Sequence, residues 1–576
     1  MTAHAYAPTR TELRRAPKAQ AAPARKVLAE VPLLAILVVQ ALLSLRFVHS
    51  LGIDHGDEST YIYGGHQLIR ELFHGGGSPY YETWFSGAPI LYPIVAAMLD
   101  HVGGLTLVRE FSLACLLGAT TLLYLTGRRI FGYWTGLTAA GMFVALGITQ
   151  RLGVLATFDA PSLLFLAAAA YAAVRGAAGS RWLLMAPPLL VIANALKYPS
   201  VVFDPVVIAL GALQLRDAGW RRVALRGAAL AAATGILAAI ALFLTGTAYW
   251  HGILYTTLDR QGGAQASFGL NNSMPARAVI DMSWSWIGVV VVSGALALVV
   301  ALAQRRERAN VWLLALLIVA GLLVTAEGIR LQTDQSMNKH DDFGAWFTCI
   351  AAGYALARGA ELCRRWVARL PFIIIALSVV VWTGIHYAAG PGAPARDGLF
   401  NAGEGQSLTA ATQQYQFLAP WIREDPSGHY LIGGLASYLV LYSDHLSVPW
   451  SQWVDDLYIK YPVPGRGGDW QGKSGLVCGG PGQPAASSPG CSYLDGTAGF
   501  EAAIRAHAFA VVSLLGNHDW TNLDTAILYT VESTPGYVQI SEVNYSPTFI
   551  YAPDYPAWER ANPALAAAVG ATAKKS

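Results

Sequence analysis

Apolar runs long enough to cross a bilayer recur from Val31 to about His386, and this restricts the fold of the chain more tightly than any other feature. Of the 576 residues, 54% are hydrophobic and only 13% charged. Soluble domains carry nearly twice that charge density. The reading is a polytopic α-helical membrane protein. The formal net charge of +3 is too small to indicate nucleic acid, and the basic residues follow membrane topology instead.

Arg10, Arg14, Arg15, Lys18, Arg25 and Lys26 stand among Ala and Pro in residues 1–26. That composition predicts a disordered tail held in the cytoplasm by the positive-inside rule. About eleven spans follow, expected at 31–49, 107–127, 133–149, 158–175, 181–196, 199–214, 226–246, 284–303, 309–327, 342–358 and 370–388. With this count the basic turns at Arg128/Arg129, Arg175/Arg181, Arg216 to Arg226, Arg305/Arg306/Arg308 and Arg358 to Arg369 all fall inside. The segment 88–104, short and carrying two prolines, would invert every later turn if it spanned. It is therefore read as an outer-surface or re-entrant helix. Residues 27–389 then form the membrane domain, with a long first outer loop at 50–106.

From about Gly390 the character changes. β-like runs at 429–434, 508–516 and 537–543, with a helical stretch at 407–422, predict an extracytoplasmic α/β domain over 390–560, and 561–576 reads as a tail. Cys478 and Cys491 bracket a Gly/Pro-rich loop there, and an oxidising compartment favours a disulfide between them. Cys115, Cys349 and Cys363 lie in or beside spans and read as small apolar residues.

Cytoplasmic turns are short and almost purely basic, whereas the outer loops hold the acids, so the active face is external. Asp57 and Glu58 stand adjacent soon after the first span, where packing gives no reason for them. They suit a cation, a proton or a substrate hydroxyl, although carboxylates also favour the first turn of the helix STYIYGGHQLIRELF. Asp159 in ATFDAP suits the same chemistry, or an N-cap before Pro161. Arg151, Lys197, Arg330, Lys339 and His340 supply cations and donors for a phosphate from the later outer loops. Lys197 also suits a snorkelling interface lysine, and the KHDD run an ordinary solvated loop.

DHGDESTYIYGGHQLI, PYYETWFSGAPILYPIVAAMLDHVGG, LVREFSLACLLGATTLLYLTGRRIFG and ATFDAPSLLFLAAAAYAAVRG together resemble the opening of GT-C fold glycosyltransferases. The similarity is to the group of protein O-mannosyltransferases and lipid A aminoarabinose transferases, and runs over about residues 50–200. The resemblance implies an integral plasma-membrane enzyme with a polyprenyl-phosphate sugar as donor and inverting transfer outside the membrane. The acceptor would be a lipid, glycan or protein. Asp57 would be the base or a metal-proximal acid, assisted by Glu58, and a divalent metal ion would be held by Asp57, Glu82 and Asp159. The chain departs from the aminoarabinose branch in reading Ser59-Thr60 where that branch has an arginine after the acid pair, and in lacking a histidine before Arg260, where it reads TTLDR. Two alternatives stay open: an arabinosyl- or mannosyltransferase acting on cell-wall polysaccharide, and a transporter or flippase of a lipid-linked precursor. The acids within the spans are few, Glu110 and Glu327 among them, and this disfavours the transporter.

Overall fold

The computed structural model describes residues 30–46, 48, 57–74, 81, 85–176, 181–257, 274–303, 305–332 and 337–364. Towards the C-terminus it describes 397–398, 401–402, 418–422, 428–432, 453–455, 500–514, 522–543 and 546–567. Glu82, Asp259, Arg260, Cys478, Cys491 and the apolar run 370–388 lie outside the described residues.

The helical body begins with α1 (Val31–Leu45) and α2 (Asp57–His74), the latter opening on its two acids. Helix α3 (Tyr92–Phe131) is 40 residues long and breaks at Gly103–Gly104, where Gly104 has φ 64°. That left-handed backbone is one a side chain resists. The break separates a first limb, where the surface helix was expected, from a second limb covering the expected span at 107–127. Next come α4 (Tyr133–Ala145), the short α5 (Gly147–Leu152) and α6 (Asp159–Arg175).

Helices α7 (Ala186–Leu196) and α8 (Asp204–Leu213) are only 11 and 10 residues long, joined through a 3-10 turn at Tyr198–Phe203. Prolines explain the interruption. Pro199 disfavours α geometry at the residue before it, and Pro205 suits the first turn of the next helix. At 1.5 Å per residue neither helix alone crosses a core of about 30 Å.

Helices α9 (Trp220–Thr245), α10 (Thr247–Thr257), α11 (Ala276–Ala303), α12 (Val311–Leu331) and α13 (Met337–Arg364) complete the body. Among the described residues, four helical stretches are long and apolar enough to cross a membrane: Tyr92–Phe131, Trp220–Thr245, Ala276–Leu302 and Glu307–Leu331. Helix α13 is the hub, packing on α11, α12 and α4. Trp346 on α13 is fully buried and donates Nε1–H to the Ala119 carbonyl of α3 at 2.9 Å. The KHDD run is part of this story. It forms the first turns of α13, and Lys339, Asp341 and Asp342 are buried there, so it is not a solvated loop.

The C-terminal residues form a five-stranded mixed sheet of β1 (Tyr430–Ile432), β2 (Trp453–Asp455), β3 (Val511–Ser513), β4 (Tyr537–Val543) and β5 (Ser546–Tyr551). The order is β2-β1-β3-β5-β4. Strand β1 runs parallel to β2 and β3, and β5 antiparallel to β3 and β4. Helices at 500–505, α14 (Asn522–Ser533) and α15 (Tyr555–Ala561) accompany it. One core cluster of this unit, containing Leu418, Trp421, Tyr430 and Ile550, also takes in Tyr63 from α2.

Candidate active site

The acid pair at the head of α2 divides. Glu58 is fully buried and receives Arg109 in a fork, Nε at 3.0 Å from Oε1 and Nη2 at 2.7 Å from Oε2. Its Oε1 also accepts the Ala156 backbone N–H at 2.6 Å, while Arg109 Nη1 donates to the Val48 carbonyl at 2.6 Å. A carboxylate so engaged binds α2 to α3 and to the segment before α6, and little of its acceptor capacity is left for substrate. Asp57 turns the other way. Its side chain is 33% exposed, and its Oδ2 lies 2.5 Å from Nζ of Lys339, whose own side chain is 2% exposed.

A second ion pair forms beside the first. Lys197 Nζ is 2.5 Å from Asp159 Oδ1, and both side chains are buried. Asp159 occupies the first turn of α6, but the residue at the cap position is Phe158 and no side-chain capping bond is made there. The carboxylate serves the lysine instead. Lys197 follows the last turn of α7 in extended geometry, φ −147° and ψ 107°. Its ammonium sits 4.8 Å from the Phe158 ring, which packs on Tyr61 of α2 at 4.3 Å. Burial pushes Lys197 below the ordinary lysine value; Asp159 and Asp57 oppose this, and Lys339 adds to it. The four groups thus lie close enough to act on one another, and Lys197 is a buried residue and not a snorkelling one.

The backbone holds this arrangement from the opposite side. Ala88 N–H donates to the Ala195 carbonyl at 2.7 Å and Tyr198 N–H to the Ser86 carbonyl at 2.8 Å. Between them, a Cβ on Gly87 would stand 2.0 Å from the Leu196 carbonyl oxygen. Only glycine allows the two segments to meet this closely.

Lys197 also lines a cavity of about 330 Å³. The remaining walls are mostly apolar, with Phe203, Trp250, Leu254, Leu331 and Phe343 among them, and Ser200 and His340 add polar groups. Of the expected phosphate-binding residues, Lys197 and His340 therefore face one space, with Lys339 next to His340 in sequence. Arg330 is elsewhere engaged. It grips Glu327 through two bonds of 2.7 and 2.8 Å and donates to the Thr257 carbonyl at 2.8 Å. Glu327 itself lines the cavity. Arg151 is buried in α5 and does not line this cavity.

The expected metal set does not assemble among the described residues. Asp57 and Asp159 each face a lysine ammonium, Glu82 lies outside the described residues, and no three His, Cys, Asp or Glu side chains there converge. A divalent ion at Asp57 or Asp159 would compete with a lysine already seated. Sequence reasoning passed over Arg109, Asp341 and Asp342. Asp342 is fully buried on α13 and accepts from Thr149 Oγ1 of α5 at 2.6 Å. Its only sequence signal was a doubled acid directly after Lys-His.

Residues 89–245 match the family of dolichyl-phosphate-mannose-protein mannosyltransferases. The likeness to GT-C glycosyltransferases drawn from the sequence motifs is thus met by a family match over that segment. Among solved structures, the Archaeoglobus fulgidus oligosaccharyltransferase AglB, in complex with an inhibitory peptide and a dolichol-phosphate, is 11% identical. Its alignment covers 90% of this chain and 74% of that one, with TM-score 0.47. The same organism's oligosaccharyltransferase tethered to an acceptor peptide aligns at 12% identity and TM-score 0.42 over 71% of this chain. Here the chain spans 62% of its relative's length. ArnT from Cupriavidus metallidurans aligns at 14% identity and TM-score 0.40, covering 92% of this chain and 99% of that one. No curated protein sequence matches the chain.

Proposed function

We propose that the protein is a membrane glycosyltransferase that moves a sugar from a polyprenyl phosphate to an acceptor hydroxyl on the extracytoplasmic face. The observation that carries this reading is one arrangement. A buried lysine, Lys197, heads an apolar cavity and lies within electrostatic reach of the accessible carboxylate Asp57. An apolar space ending in a cation suits a lipid chain ending in a phosphate. The match of residues 89–245 to a mannosyltransferase family supports the same chemistry.

In this mechanism the prenyl chain lies along Trp250, Leu254 and Leu331, with its phosphate against Lys197 and His340. Asp57 accepts the proton of the acceptor hydroxyl. The acceptor oxygen then forms a bond to the anomeric carbon, from the side opposite the phosphate. The bond from that carbon to the phosphate oxygen breaks, and its electron pair leaves with the lipid phosphate. Lys197 offsets the negative charge that builds there. Lys339 holds Asp57 in place, and Glu58 with Arg109 fixes the start of α2 that presents it. No step is assigned to a metal ion.

Transfer of sugar from polyprenyl-phosphate-mannose, in membranes containing the wild-type protein or its Asp57→Asn variant, tests the reading. Loss of transfer with unchanged protein level is the expected result. Wild-type rates from Asp57→Asn would remove Asp57 from the mechanism.

A further inference from the structure

The cavity wall beside Lys197 carries a hydrogen-bonded relay of fixed direction. Ser200 Oγ donates to Asn194 Oδ1 at 2.7 Å, and Asn194 Nδ2 donates to Asp204 Oδ2 at 2.8 Å. Ser200 is 2% exposed and lines the cavity, while Asp204 is buried at the head of α8. The three side chains come from three consecutive pieces of backbone: Asn194 from α7, Ser200 from the 3-10 turn that follows and Asp204 from the start of α8.

The direction follows from what each group can do. A carboxylate only accepts, so Asp204 takes the amide N–H of Asn194. This leaves the amide carbonyl facing Ser200, and the single hydroxyl proton of Ser200 is spent on it. The Ser200 oxygen is thereby left with lone pairs and no hydrogen to give, on a residue that lines the cavity. A deprotonated phosphate is itself only an acceptor and finds no partner in such a group. A sugar hydroxyl does.

We infer that Ser200, oriented by Asp204 through Asn194, reads a sugar hydroxyl of the lipid-linked donor and separates the loaded carrier from the spent one. The inference rests on the donor-lipid reading above and names how the same cavity discriminates. Lys197 holds the phosphate of both lipids. Ser200 gains a bond only while the sugar is attached, and after transfer its lone pairs face the newly formed phosphate anion. The same residue thereby favours binding of substrate and departure of product.

Binding of decaprenyl-phosphate-mannose and of decaprenyl phosphate to the purified full-length protein in lipid nanodiscs provides the test. Removing one neutral hydrogen bond corresponds to about a three- to tenfold change in affinity. Ser200→Ala should lose that much for the mannose-bearing lipid and less than about twofold for the bare phosphate. Asp204→Leu removes the acceptor that sets the Asn194 amide, which leaves that amide able to turn over and the Ser200 proton free to turn towards the cavity. This variant should weaken the mannose-bearing lipid and tighten the bare phosphate. Equal effects on both lipids, or none in either variant, would overturn the role given to Ser200 while leaving the donor cavity intact. A wild-type protein that binds neither lipid would instead overturn the cavity reading beneath it.

Discussion

Lys339 Nζ and Asp57 Oδ2 meet at 2.5 Å across 282 residues of sequence, joining the first turn of α2 to the first turn of α13. The lysine is almost wholly buried and the carboxylate is one-third exposed, so the pair has an inner and an outer member. In the proposed mechanism the outer member meets the acceptor while the inner one fixes its position.

Lys339→Met should therefore lower transfer by about two orders of magnitude, the scale of losing one preorganised electrostatic partner at a reacting group. Because Asp57 is partly exposed, the protein should stay folded. Initial rates at saturating donor measure the effect, and a change confined to donor KM would assign Lys339 to lipid binding instead.

Arg109 and Glu58 form the buried counterpart, and there the expected loss is stability. Arg109→Met leaves an unpaired carboxylate in an apolar surrounding, which costs about 3–5 kcal/mol. Adding Glu58→Gln removes that charge and should restore a large part of the thermal midpoint lost by the single variant. Thermal unfolding of both proteins in detergent compares them directly, and a double variant no more stable than Arg109→Met would contradict the assignment.

The depressed proton affinity of Lys197 gives donor binding a pH dependence of known sign. The ammonium binds phosphate only while protonated, so affinity falls as pH rises, with a midpoint below the value of about 10.4 for a free lysine. Lys197→Arg keeps its charge throughout the accessible range and should move the alkaline limb upward. Titration of polyprenyl phosphate binding between neutral and alkaline pH reads the midpoint, and identical limbs in the two proteins would release Lys197 from the phosphate.

Gly87 makes a prediction about position alone. A methyl group there meets the Leu196 carbonyl at 2.0 Å and must drive apart the strands of backbone that join 86–88 to 195–198. Gly87→Ala should raise donor KM, since Lys197 is carried on the displaced segment. An unchanged KM in a folded variant would show that the segment can adjust without moving the lysine.

Much of this site was legible in the sequence as single residues, and little of it as partnerships. Asp57 and Glu58 stood out because adjacent acids after an apolar run lack a packing reason. Nothing local told the two apart, since the separation depends on Arg109, 51 residues beyond Glu58. Lys197 and Asp159 were each legible, but each also fitted a separate and simpler role. Their pairing depends on the interruption between α7 and α8, which falls between the expected spans at 181–196 and 199–214, and no local signal says which acid the lysine there will meet. The first turns of α13 were assigned to a loop because Lys, His and two Asp lower the local hydropathy. Burial against charged partners reverses that inference, and periodicity carries no record of it. The strands β1, β3 and β4 fall within the expected β-like runs, because alternation and turn residues are local signals.

Tyr63 stands in the core cluster of the C-terminal sheet, less than two helical turns beyond Asp57 on the same helix. The two units consequently share a structural part, and a cut between them in sequence does not divide them in space. A C-terminal fragment expressed alone would have a vacancy where an aromatic ring belongs, and the membrane part alone would carry that ring uncovered on the helix that bears Asp57. Mixing the two halves in trans would then be more informative than studying either, because recovered activity would require the ring to find its socket.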